Sequence, residues 1–146
     1  MKKVNSNYIR EQLTLVWPDL DMVILLDSNF VVPKVSDIEK MFKASKIREM
    51  QFIPEFNDCD NFALYFLAEV RKNCYDMLMS REISPEDMFP WTISLAVCNV
   101  TRDIDIIHAV NLALCEEGIY MFDITPESDR FWKASAKSDN PFILFM

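Results

Sequence analysis

The 146-residue sequence contains a single glycine, Gly118, and a single histidine, His108. One glycine excludes glycine-rich phosphate loops and dinucleotide-binding turns, which use several glycines to bring backbone close to phosphate. One histidine leaves one imidazole for any chemistry that needs a base. No C-x-x-C pair occurs among the four cysteines, Cys59, Cys74, Cys98 and Cys115, which argues against a structural zinc ribbon. Apolar runs fall short of a membrane span. No secretory apolar region follows the charged start MKKVNSNYIREQL. Positive charge is also scarce: 15 Lys and Arg against 23 Asp and Glu give a formal charge of −8. Such a surface repels nucleic-acid phosphates and has no general attraction for anionic membranes. The expectation is a cytoplasmic protein with no nucleic-acid and no membrane partner, its oligomeric state open.

What is present suits a packed core. Apolar residues make up 51% of the chain and aromatics 12%, enough for one domain over residues 1–146. No repeat, low-complexity tract or linker divides it. Cys59 and Cys74 fall on one predicted helix, about 22 Å apart at 1.5 Å per residue, and cannot pair. Cys98 and Cys115 fall on neighbouring predicted strands where they can meet, although a reducing cytosol favours free thiols.

Residues 5–16 predict a short amphipathic helix capped by Asn5 or Ser6 and ended by Trp17-Pro18. The stretch MVILL is helix or strand by pattern, and FVV before Pro33 reads as a short strand. The S-D-I-E box from Ser36 to Glu39 predicts a cap for a helix over about 37–46. A long helix follows EFNDC, with Asn57 or Asp58 able to accept from its free amides. Its apolar residues from Phe62 to Leu78 predict burial on most sides. TISLAVCNV, IDIIHAVNLAL, IYMFDIT and FILFM read as strands, with CEEG as a four-residue hairpin loop. Helices first and strands later predict an α+β fold, an antiparallel sheet packed on the long helix.

Cys59 stands at the start of that long helix, where free N–H groups and the helix dipole favour thiolate. Asp58 and Asp60 oppose this, because nearby negative charge raises a thiol pKa. His108 is the imidazole available as a base, and a third group must hold its ring. If Leu114 pairs with Ile119, Asp123 falls opposite Val110 and diagonal to His108 on the same face, about 7 Å away between backbones. A one-residue slip puts Asp123 on the wrong face. Read one at a time, Cys59 is a small buried hydrophobe, His108 a satisfied structural residue and Asp123 a solvated one. Asn111 reads as a structural hydrogen bonder.

The order of Cys at a helix start, His in a strand and Asp in the next strand resembles that of papain-like cysteine proteases. The stretches EFNDCDNFALYF, HAVNLAL and GIYMFDITPE resemble one branch more closely. That branch is the papain-like cysteine protease domain of the Marasmius agglutinin C-terminal (lectin MOA-related) family, in its small phage and bacterial type. LLDSNFVVPKVSDIEKMFKASKI resembles the segment those relatives place before the cysteine, so the resemblance runs over roughly residues 24–127. It implies a papain-like fold, Cys59 as catalytic nucleophile, His108 as base and Asp123 as the third member, with Glu127 of D-I-T-P-E as the competing acid. Gln51 and the Cys59 amide are the available oxyanion donors. The implied function is a cysteine hydrolase, a peptidase acting on a protein or peptide. The alternative is a catalytically silent papain-fold binding protein of phage origin that acts on a host protein. No cofactor is implied by the residues themselves. Calcium is implied by the fungal domain, but Asn61 stands where many relatives have an acid, which weakens it. A metal-binding domain built on Asp58, Asp60 and Asp123 is a third reading.

Overall fold

The computed structural model describes residues 2–99, 107–136 and 139–146. Its elements run β1 (Lys2–Asn5), α1 (Ser6–Val16), β2 (Met22–Ile24), β3 (Asn29–Val32), α2 (Val35–Ala44), α3 (Cys59–Met79), β4 (Ile93–Asn99), β5 (Ile107–Cys115), β6 (Gly118–Asp123), β7 (Arg130–Lys133) and β8 (Pro141–Phe145). The fold is α+β with the long helix α3 packed against a sheet in a papain-like arrangement. A six-stranded sheet has the order β2-β8-β4-β5-β6-β7, and β1 pairs with β3 in a separate ribbon. Every pair in the larger sheet is antiparallel except β2–β8, which is parallel, so the sheet is mixed rather than purely antiparallel.

Alternation along the central strands divides the core into two layers. Val110, Leu112 and Leu114 of β5 join Ile119 and Met121 of β6 on one face, where Ile9 and Leu13 of α1 cover them. Ala113 and Cys115 join Phe122 on the other, under Phe62, Phe66 and Val70 of α3 and Phe42 of α2. From Ala109 to Cys115 every residue of β5 is buried, as a strand covered on both faces requires. Phe66 meets Phe122 edge-on at 5.2 Å between ring centres and Phe42 at 6.2 Å, which seats α3 on the sheet. The apolar residues of α3 do not bury all round. Phe62, Ala63, Phe66, Leu67, Val70 and Cys74 form one buried stripe, while Leu64, Tyr65, Tyr75 and Met79 are exposed.

Several caps fall as expected and one does not. Asn5 caps α1, its side chain accepting from the Tyr8 amide at 2.9 Å. Asp58 caps α3 in a reciprocal box with Asn61. The Ser36–Glu39 box is not used: α2 begins at Val35, whose amide donates to Glu117 Oε2 at 2.9 Å. A carboxylate from a distant turn replaces the local cap. That turn is two residues long, Glu116 and Glu117, because Cys115 and Gly118 pair, so CEEG is not a four-residue loop. Gly118 has φ +129, and a Cβ there would lie 3.2 Å from Lys133 Cε. Strand β7 went unrecognised in RFWK, a short run bracketed by charges. Ile106 and the start of the IDIIHAVNLAL run lie outside the described residues. Among the described residues no helix is long and apolar enough to cross a membrane.

Candidate functional site

Strand register brings His108 and Asp123 together. Leu114 pairs with Ile119 and Asn111 with Phe122, the alignment that sets Asp123 diagonal to His108. His108 Nε2 donates to Asp123 Oδ2 at 2.7 Å. Asp123 is buried, and its other oxygen accepts from the Thr125 amide at 3.0 Å and the Thr125 hydroxyl at 2.7 Å. A carboxylate held on both oxygens has one orientation left, and it aims at the ring. Glu127, the competing acid, lies exposed.

The ladder between β5 and β6 ends at Asn111–Phe122, and beyond it the strands part. Cys59 enters there. Its Sγ accepts from the Ala109 amide at 3.4 Å, so the first residue of α3 meets the open end of β5. Asp58 fixes where the helix starts, and Asn57, buried just before it, donates to the Gln51 carbonyl at 2.6 Å. Gln51 itself stays exposed.

The electrostatics follow from these bonds. A hydrogen bond with His108 lowers the Cys59 thiol pKa most; the Ala109 amide and the His108 charge add to it, against burial and the Asp58 charge. His108 is pushed up to about 10, first by Asp123, then by Cys59, with burial opposing. Asp123 lies below the usual carboxylate range: burial pulls it upward, but bonds from His108 and Thr125 outweigh that. The bonds therefore favour a thiolate beside an imidazolium and a carboxylate. The other three cysteines are free, buried thiols. Cys98 faces His108 across β4–β5 and belongs to one core layer, while Cys115 faces Gly118 and belongs to the other, so the two do not meet.

The metal reading fails on geometry. Among the described residues no group of three or more His, Cys, Asp or Glu is placed to hold a metal ion. Asp60 is raised by a hydrogen bond with Asp58, and Asn61 Oδ1 accepts from the Asp58 amide at 3.3 Å.

A cleft of about 250 Å³ adjoins the pair. Cys98, His108, Asp123, Arg130, Trp132 and Asp139 contribute to its walls. The Trp132 indole donates to Asp139 Oδ1 at 2.9 Å, and the Arg130 guanidinium lies 5.0 Å over its ring. Asp139 Oδ2 accepts from the Ser135 amide at 2.6 Å. Sequence reasoning missed this wall, and it missed the Ala109 amide and Thr125. Only Thr125 left a signal, the D-x-T spacing that favours a side-chain bond to backbone two residues on.

No protein-family model matches the chain. No curated protein matches it by sequence. Solved structures do match in fold. One, described as "PSL1a-E64 complex", superposes with a TM-score of 0.74 at 19% identity over 99% of this chain and 51% of that one. Another is the Polyporus squamosus lectin bound to the human-type influenza-binding epitope Neu5Acα2-6Galβ1-4GlcNAc, with a TM-score of 0.71, 19% identity, and 99% and 49% coverage. The fold thus resembles that of the papain-like fungal lectins, and the chain spans about half the length of those neighbours.

These neighbours correct the expected activity. The hydrolase and protease reading, and the protein or peptide partner that went with it, give way before a neighbour described as a glycan-bound lectin rather than as a peptidase. The physical reason is general. Order and local wording fix a fold and a cluster of side chains, and the same cluster on the same fold serves unrelated functions.

Proposed function

We propose that this chain is a binding domain on a papain-like fold, silent toward peptide bonds, whose ligand is a carbohydrate held in the cleft beside His108. The observation that carries this reading is the Trp132 wall. The Trp132 ring, held by Asp139 and with the Arg130 guanidinium over it, puts apolar surface at the cleft beside polar groups that already have their positions. A sugar presents the complementary surface, apolar C–H faces ringed by hydroxyls, and preorganised walls lower the cost of binding it. Exposed Arg130 suits a sugar that carries a carboxylate, and the trisaccharide held by the Polyporus lectin has one in its sialic acid. In this reading His108 and Asp123 form a fixed polar group at the cleft, and Cys59 behind them is no turnover machine. The proposal takes residues 1–146 as one domain. It includes cytoplasmic residence, supported by four free thiols. The wording of EFNDCDNFALYF supports placing the chain with the small phage and bacterial type.

The test is calorimetric titration with the sialylated trisaccharide and with its asialo disaccharide, in the natural protein and in Trp132→Ala. Saturable binding that Trp132→Ala abolishes supports the reading. No binding to either glycan, or binding indifferent to Trp132, overturns it.

A further inference from the structure

We propose that Asn111 is a positioning residue that sets the approach of Cys59 to His108 by tying the first turns of α3 to β4 and β5. Asn111 is fully buried. Its Nδ2 donates to the Ala63 carbonyl of α3 at 2.9 Å and to the Ser94 carbonyl of β4 at 3.2 Å. Ala63 lies four residues after Cys59, about 6 Å along the helix axis. His108 lies three residues before Asn111, about 10 Å along β5. One amide thus joins three elements close to where the thiol and the ring meet.

Three observations show that the bond is more than packing. First, helix α3 and β5 are joined at two polar points, Cys59 Sγ on the Ala109 amide and Ala63 O on Asn111. Two points fix both the height and the rotation of the helix end, and the first alone fixes neither. Second, residues 109 and 111 share the face turned to α3, while His108 takes the other face with Val110 and Leu112. The thiol must therefore reach the ring past the end of β5, and a small slide of α3 would lose it. Third, Asn111 Oδ1 is buried without a partner. A leucine of similar size would leave no orphan acceptor and would suit the surrounding core. The chain keeps the orphan and with it a donor on Ala63 O, whose second lone pair is free in a helix.

This inference does not depend on what the cleft binds. Its test is the pH profile of iodoacetamide labelling at Cys59, read by peptide mass spectrometry, in the natural protein, Asn111→Leu and Thr92→Val. Thr92 is the control: it is buried immediately before β4, with its hydroxyl on the Leu114 carbonyl at 2.5 Å and on the Val31 carbonyl at 3.3 Å, neither of them on α3. Asn111→Leu is expected to move the profile upward by a unit or more, a tenfold loss of thiolate below its midpoint. Thr92→Val lowers the melting temperature and leaves the profile in place. If Asn111→Leu does not fold, Asn111→Ser takes its place, checked by circular dichroism. A folded Asn111 variant with an unmoved profile, or a Thr92→Val variant that shifts as far, overturns the proposal.

Discussion

Helix α3 carries two cysteines in opposite states. Cys74, in its C-terminal half, is buried, and burial pushes its thiol up to about 11, only partly relieved by the charge of Arg71. Cys59, its first residue, is also raised by burial, yet its pKa ends below the ordinary thiol value. Desolvation acts on both. Both also meet backbone donors, Ala109 for Cys59 and Trp91 for Cys74, so the difference is the His108 ring of β5. Placement at a helix start pointed to the right residue, but the dominant influence arrives from across the sheet.

The sharpest way to break this comparison is to label both thiols in one sample. At pH 7 a thiol of pKa about 11 is ionised about once in ten thousand molecules, and an ordinary one about once in a hundred. Cys59 should therefore react with iodoacetamide more than about a hundredfold faster than Cys74 on ionisation alone. Similar rates would end the distinction. The next effect is the loss of His108. In His108→Gln the burial and the Asp58 charge remain, so the Cys59 thiol should move back up toward its ordinary 9.0, and labelling at pH 7 should fall.

Stability against pH sharpens the same contrast. Above their unfolded value of 9.0, Cys74, Cys98 and Cys115 keep protons in the folded chain that the unfolded chain has lost, up to about 11, 12 and 12. Their contribution is complete below pH 9.0 and disappears as pH rises through those values, at roughly 1.4 kcal/mol per pH unit for each thiol. The Cys59–His108 pair behaves differently. Between 6.5 and 9.0 its ring keeps a proton that the unfolded ring has lost, while the lowering of its thiol acts in the opposite direction. The two effects oppose each other, so the pair adds less slope there than its ring alone. Between 9.0 and about 10 its contribution is a loss, since the unfolded thiol has ionised and the folded ring has not. Asp123 adds a loss on the acid side, below 3.8. Urea melts across pH should show stability falling above pH 9, and Cys98→Val with Cys115→Val should make that fall shallower.

How much of this could be read from sequence divides along physical lines. Period-two alternation in HAVNLAL and GIYMFD determined the faces, and the turn residues between them determined the register that unites His108 with Asp123. Those are local signals. Burial of α3 was overestimated because apolar residues on a helix also appear on its exposed side, as Leu64 and Tyr75 do. The cap of α2 was misplaced because Glu117, far along the chain, outcompeted the local Ser36 box. The Ala109 amide, the Asn111 tie and the Trp132 wall involve groups that only tertiary packing brings together, and nothing in a single sequence marks them. Function was the least legible part. The ordered Cys, His and Asp read as a peptidase, a reading that the glycan-bound lectin of the same fold does not support, because a fold does not fix a function.

The smallest effect separates charge from architecture at the start of α3. Asp58 serves two purposes: its side chain accepts from the Asn61 amide in the first turn, and its charge raises the Cys59 thiol. Asp58→Asn keeps an acceptor at the cap and removes the charge. Stability should hold to within about 0.5 kcal/mol, since Asn and Asp are comparable caps. Cys59 labelling at mildly acidic pH should rise by less than about tenfold, the change expected from less than one pKa unit. Asp60, whose carboxyl is raised by Asp58, should titrate closer to its ordinary 3.8. Asp58→Ala loses the cap as well, at about 1 kcal/mol in a urea melt. If both variants lose stability equally while labelling stays unchanged, then Asp58 acts on Cys59 only by placing the helix, and its charge is screened by solvent.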